Sequence, residues 1–300
     1  MKYLVLVLWI VLSSTSSAFS SPHSIEHTVK WESGVNKRVV KEWSYSLDKV
    51  SNVSSTTYIR KKVGGKDDLH AVKHRDVIVW IPKNANLNSD FIAVIWFHGH
   101  FGYFPKRTFQ DRTLKQFVPL VDNKNFVVII PEMPWSVHTK TPKKRNSLLW
   151  MKEGSFLSFI KQVEYILLEH SKPGVHNDTT RERKLGKIDY RVVGHSAGGS
   201  TIMRLGITGD LCRLNPSMVV WSDSSYGRWL DRAWDGCLKD TNILVKVFVQ
   251  KWQSPYRNAT RFLGNFQGSP QNLELYVKNK GWSHKLIGDN IVKLSGLLGE

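Results

Sequence analysis

Residues 188–207 read IDYRVVGHSAGGSTIMRLGI. The opening IDYRVV is a β-branched run of strand length, and the closing STIMRLGI carries its apolar residues at helical spacing. Between them lies Gly194-His195-Ser196-Ala197-Gly198-Gly199. Small residues two places before and after Ser196 let a strand and a helix approach closely and place the serine on a sharp turn. The turn lifts the Ser196 hydroxyl to the carboxyl end of the strand. The helix that follows brings its unpaired N–H groups and the positive end of its dipole beneath the same point.

The rhythm continues on both sides. Apolar runs at 76–82 (DVIVWIP), 91–97 (FIAVIWF), 126–131 (FVVIIP), 218–221 (MVVW), 243–249 (ILVKVFV) and 273–277 (LELYV) predict further strands. Residues 155–170 place Phe156, Phe159, Ile160, Val163, Ile166 and Leu167 on one helical face, and about 286–298 predict a closing helix. Short continuous Val/Ile runs separated by helices predict an α/β fold, with a mostly parallel sheet covered by helices on both faces. Residues 21–70 are polar and predict an opening strand pair or a loose extension. Residues 133–150 lack periodicity, carry KTPKKR at 140–145 and predict a loop or small cap. There is no internal repeat.

The elbow matches the G-x-S-x-G pattern in its strand–turn–helix setting, and from about residue 75 to 300 the chain resembles the α/β-hydrolase family. The resemblance implies that Ser196 is a nucleophile. A neutral hydroxyl is a weak one and needs a general base. His284, in Gly281-Trp282-Ser283-His284 after the last strand, matches the family's base. Asp223, in VWSDS after the strand that follows the elbow helix, matches the acid that orients it. Most relatives carry that acid one strand later, where this chain reads VQKWQS with no carboxylate before Glu274. Asp231 and Asp235 are rivals expected on the next helix, and Asp189 belongs to the opposite end of the sheet. The oxyanion donors implied are the backbone N–H of Ala197 and one near His100, in the His98-Gly99-His100 start of the loop after the third family strand.

The expected chemistry is a two-step acyl transfer needing no cofactor, with a carboxylic ester preferred over an amide. A serine peptidase would use the same triad. A non-catalytic protein that reuses the fold to hold an anionic envelope polymer is the alternative from another class. His98, Trp135, Trp221 and Trp282 are candidate substrate contacts, together with Trp229 and Trp252, because all fall near expected carboxyl ends of strands. Core or loop packing is the plain alternative for each. The 140–145 run either steers an anionic substrate or is a solvated basic loop. The histidines show no metal-ligand spacing.

The chain opens with Met1-Lys2, an apolar run over 4–12 and a small polar stretch over 13–20, the layout of a secretory signal peptide. The expected organisation is a leader over 1–20, an extension or opening strands over 21–74 and a hydrolase domain over 75–300. The product would be secreted or periplasmic, with no transmembrane segment in the mature chain. The formal net charge of +18 favours anionic surfaces. The basic residues are spread along the chain and form no nucleic-acid-binding motif. Cys212 and Cys237 are the two cysteines; bridged, they enclose the Asp223 segment, and as buried thiols they do not.

Overall fold

A computed structural model of the protein describes residues 24–32, 38–45, 61–63, 66–68, 74–82, 84–99, 113–131, 150, 152–171, 183–268 and 270–299. The strands are β1 (Ser24–Glu32), β2 (Arg38–Tyr45), β3 (Lys61–Val63), β4 (Lys66–Asp68), β5 (His74–Ile81), β6 (Phe91–Phe97), β7 (Phe126–Pro131), β8 (Ile188–His195), β9 (Met218–Ser222), β10 (Leu244–Gln250) and β11 (Leu273–Lys278). The helices are α1 (Ser155–His170), α2 (Gly199–Ile207), α3 (Asp210–Leu214), α4 (Trp229–Gly236), α5 (Ser254–Leu263) and α6 (His284–Ser295). The expected leader and the 133–149 segment lie outside the described residues.

One nine-stranded sheet runs in the order β11-β10-β9-β8-β6-β7-β5-β1-β2. Neighbours from β11 across to β7 are parallel. β5 then pairs antiparallel with β7, and β1 antiparallel with both β5 and β2. The continuous apolar strands follow from this arrangement. Every residue of β7 is buried, because both faces of the sheet are covered. Alternate side chains enter opposite layers: Ala93, Ile95, Phe97 and Val219 join one core, while Val94, Trp96, Val193 and Val220 join the other. The first core is closed by the six apolar residues of α1 anticipated from their spacing, and by residues of α2, α4 and α5. The second is closed by Ile287, Ile291 and Val292 of α6 and by residues 114–121. This is the α/β-hydrolase fold: a mostly parallel sheet with helices on both faces.

Two polar devices tie the elements. Asp210, fully buried at the start of α3, accepts N–H bonds from Gly154 (2.7 Å) and Phe156 (3.0 Å) at the start of α1 and a 2.6 Å bond from Arg213. The carboxylate thus satisfies orphan donors of another helix and is itself compensated. Cys212 and Cys237 form a disulfide with Cα atoms 6.1 Å apart. It joins α3 to the residue after α4 and settles the choice that the spacing left open. No helix among the described residues is long and apolar enough to cross a membrane.

Candidate active site

β8 ends at His195, and Ser196 opens a single 3-10 turn that runs into α2. Its φ of 53° is in the left-handed region, uncommon for a residue with a Cβ and typical of strain held at a functional turn. The glycines around it are sterically required. A Cβ on Gly194 would lie 2.6 Å from Ile202 Cδ1, and one on Gly198 would lie 2.1 Å from the Phe97 carbonyl oxygen. The elbow therefore packs against α2 on one side and against β6 on the other. Gly99, just past β6, faces the serine itself: its Cβ would lie 2.8 Å from Ser196 Cβ and 3.3 Å from Oγ. The loop expected to hold the oxyanion thus starts against the serine side chain. Ala197 is buried in the elbow turn, and His100 lies outside the described residues.

Asp223 follows β9 with φ 46° and is 1% exposed. Its N–H donates to Phe248 O (2.7 Å), and its Oδ1 accepts from Gln250 N–H (3.2 Å) at the end of β10. The neighbouring strand therefore supplies a donor to a carboxylate carried on β9, in place of a carboxylate of its own. Oδ2 lies 2.7 Å from His284 Nδ1, so Nδ1–H donates to it. His284 is the first residue of α6. Ser283 caps that helix by accepting from Leu286 N–H (3.1 Å), which fixes where the histidine leaves the chain. The His284 ring also stacks on that of His195, with centroids 4.6 Å apart.

The rivals for the acid go elsewhere. Asp231 in α4 pairs with Arg261 (3.1 Å), and Asp235 is exposed on the same helix; Asp189, already set apart by its place in the strand, pairs with Arg191 (2.7 Å) at the far end of β8. Among the described residues, the Ser196 side chain makes no hydrogen bond with His284; Tyr226, three residues past Asp223, lies near enough to both Asp223 and Ser196 to be influenced by them. Tyr226 was missed in the sequence, where a lone tyrosine in a turn carries no pattern. Burial, and then the Asp223 charge, push its pKa up, opposed by the nearby Ser196 hydroxyl.

Two expected substrate contacts are corrected. Trp221 is completely buried, because the strand alternation that points Val219 into the first core points Trp221 there too. His98 is also fully buried, with Nδ1 2.7 Å from Gly99 O. Neither presents a surface to a ligand. Trp282 is half-buried against the second core, with Lys278 Nζ 5.1 Å from its ring centroid. Trp252 is 71% exposed just past β10, with Lys251 Nζ 5.0 Å from its ring. Trp229 packs edge-on against Tyr226 at 5.5 Å. Trp135 and the basic 140–145 run lie outside the described residues.

No family model and no curated protein sequence matches the chain. Solved structures do. A dienelactone hydrolase from Anabaena variabilis ATCC 29413 is 15% identical, with 75% of this chain and 90% of that one covered and a TM-score of 0.42. The feruloyl esterase module from Clostridium thermocellum complexed with sinapinate is 12% identical, with 73% and 82% covered and a TM-score of 0.45. Brefeldin A esterase, a bacterial homologue of human hormone sensitive lipase, is 12% identical, with 75% and 70% covered and a TM-score of 0.43. The strand order and the elbow carry the fold assignment independently of these likenesses.

Proposed function

We propose that the protein is an exported serine hydrolase that cleaves a carboxylic ester through Ser196, His284 and Asp223. The observation that carries this reading is the 2.7 Å Asp223–His284 pair beside a serine held at positive φ. The buried carboxylate holds the Nδ1–H tautomer, which leaves Nε2 of His284 as the base, and it stabilises the imidazolium that forms.

In this mechanism Ser196 Oγ attacks the ester carbonyl carbon while Nε2 takes its proton. The backbone N–H of Ala197 and a donor near His100 stabilise the oxyanion. His284 then protonates the departing alkoxide, and a water activated by the same base clears the acyl group. The Ser196–His284 hydrogen bond that this step needs is not made in the resting site and forms with substrate bound. Such bonds commonly tighten at that stage. The net charge of +18 supports an ester borne on an anionic envelope or extracellular polymer.

The test is labelling by a fluorophosphonate probe, followed by a panel of short acyl esters and peptide amides. Labelling of the wild type but not of Ser196→Ala, with ester turnover, is expected. Amide cleavage without ester turnover would replace the esterase by a peptidase. A folded protein that does not label would leave a non-catalytic binder of anionic polymer as the reading.

A further inference from the structure

β10 and β11 end beside the candidate base, and the chain past each end carries a tryptophan. Gln250, the last residue of β10, donates its N–H to Asp223 (3.2 Å) and pairs with Lys278, the last residue of β11. Lys251 N–H donates to Lys278 O (2.9 Å), which carries the pairing one residue further. Trp252 follows Lys251, and Trp282 stands two residues before His284. Both tryptophans therefore leave the sheet at the edge that carries Asp223 and His284. Trp252 is held there under strain. Its φ is 71°, in the left-handed region where a bulky side chain is an outlier and a glycine is at ease. It is also largely exposed, so burial offsets little of that strain. An exposed indole on a strained turn does little for the folded state and marks a contact surface.

Each ring has an ammonium beside it. Lys251 Nζ lies 5.0 Å from the Trp252 ring centroid, and Lys278 Nζ lies 5.1 Å from that of Trp282. The ring faces attract the cations, and an ammonium with three donors can still meet an anion. Lys280 and Lys285 are exposed on the same stretch. From residue 250 to residue 288 the one acid is Glu274, near the start of β11, where Lys246 meets it (3.7 Å). The carboxyl edge is thus basic and aromatic, with a ring and an ammonium paired twice. Its complement is a polymer that repeats an apolar ring face and an anion. A polysaccharide of uronic acids repeats both, because each pyranose offers a C–H face to an indole and carries one carboxylate.

We propose that this edge binds a strand of an acidic polysaccharide of uronic acids and presents to Ser196 an O-acyl ester borne on one of its sugar hydroxyls. The identity of the ester rests on the serine hydrolase reading above, and the binding of the strand is independent of it. An O-acyl ester leaves every carboxylate free for the lysines, whereas a carboxyl ester would remove the charges that they meet. Ser196 Oγ bonds to the acyl carbon, the bond from that carbon to the sugar oxygen breaks, and the serine proton passes through His284 to the sugar oxygen. Water then releases the acyl group as a carboxylic acid and returns a proton to Ser196. Single-stranded nucleic acid also repeats rings and anions, but it carries no carboxylic ester for the serine. An anionic bilayer takes up a continuous apolar face, and here lysines interrupt the rings.

Calorimetric titration with polygalacturonate tests the strand, beside neutral dextran, polyglutamate, oligo(dT) and phosphatidylglycerol vesicles. Polygalacturonate should bind, and more weakly as salt rises. Polyglutamate, which has the charge without the rings, should bind at least about tenfold more weakly, the effect of losing an anchoring contact. Trp252→Gly removes the ring and relieves the positive φ, so its melting temperature should equal or exceed that of the wild type. Its Kd for polygalacturonate should rise roughly tenfold. The Lys251→Gln/Lys278→Gln double variant should bind more weakly and lose part of the salt dependence. The ratio of kcat/KM on O-acetylated polygalacturonate to that on p-nitrophenyl acetate should fall about tenfold in Trp252→Gly, carried by KM. No binding of polygalacturonate, equal binding of polyglutamate, tighter binding of oligo(dT) or vesicles, or an unchanged Kd in either variant would each overturn the proposal. Polygalacturonate binding without fluorophosphonate labelling would sink the hydrolase reading and leave the strand site standing. Labelling without polygalacturonate binding would do the reverse.

Discussion

The imidazole rings of His195 and His284 are stacked, 4.6 Å apart and 26° from parallel. His195 Nδ1–H donates to Ser222 O (3.0 Å), since a carbonyl only accepts. Its other flank is closed by Gly288 of α6, where a Cβ would lie 2.6 Å from Cε1 of the ring. The residue next to the serine thus sets the plane of the candidate base.

Gly288→Ala should disturb that plane without unfolding the protein. The methyl group must push the His195 ring, and the ring carries His284 with it. Alanine is favoured over glycine within a helix by about 1 kcal/mol, which offsets part of the strain. Ester turnover should fall on the order of tenfold to a hundredfold, as misplaced catalytic groups do. The melting temperature should stay near that of the wild type.

Gly198→Ala should behave in the opposite way. Its Cβ would lie 2.1 Å from the Phe97 carbonyl, and backbone cannot swing aside. The expected outcome is loss of the folded state, read as an absent cooperative thermal transition. A normal transition would show that β6 can give way beneath the elbow.

Asp223→Asn keeps the shape and removes the charge behind His284. An amide can also present N–H to Nδ1 and select the wrong tautomer. By comparison with triads in general, kcat should drop by roughly four orders of magnitude. A fall of less than about tenfold against that scale would point to another acid.

Reducing the Cys212–Cys237 bridge releases a loop spanning 25 positions. The expected cost is about 3 kcal/mol. For a chain of this size the melting temperature should fall by roughly 6–12 °C. Scanning fluorimetry with and without reductant, beside the Cys212→Ser/Cys237→Ser double variant, checks both.

Alkaline stability should follow Tyr190. Its hydroxyl donates to Glu164 (2.6 Å), and burial, then this acceptor, push its pKa far above the usual value. The folded state keeps a proton that the unfolded chain releases above about pH 10, so stability declines as pH rises past that point. Denaturant melts should show a smaller loss between pH 9 and pH 11 for Tyr190→Phe than for the wild type.

The legible parts of the fold were those with a strong local period. FIAVIWF and FVVIIP read as strands because both of their faces are buried, and α1 read as a helix because a single face is. Ser196, Asp223 and His284 could be singled out because chain order and turn chemistry single them out. Trp221 was misread as a ligand contact through attention to its place at a strand end. Its parity with Val219 already put it in the core. The disulfide and Tyr226 were beyond the sequence for another reason. Each depends on how α4 and the turn after β9 fold back on the elbow, and residue spacing does not encode that path.

The covalent link between α3 and the end of α4 has one more consequence. Everything from Arg213 to Gly236, including Asp223 and Tyr226, lies inside the closed ring. A protease that nicks an exposed point of the ring, such as Gly227-Arg228, yields two polypeptides that still travel as one molecule. The candidate acid and its phenol neighbour then remain tethered on both sides of the break. Such a cut would be invisible on a gel until thiol is added.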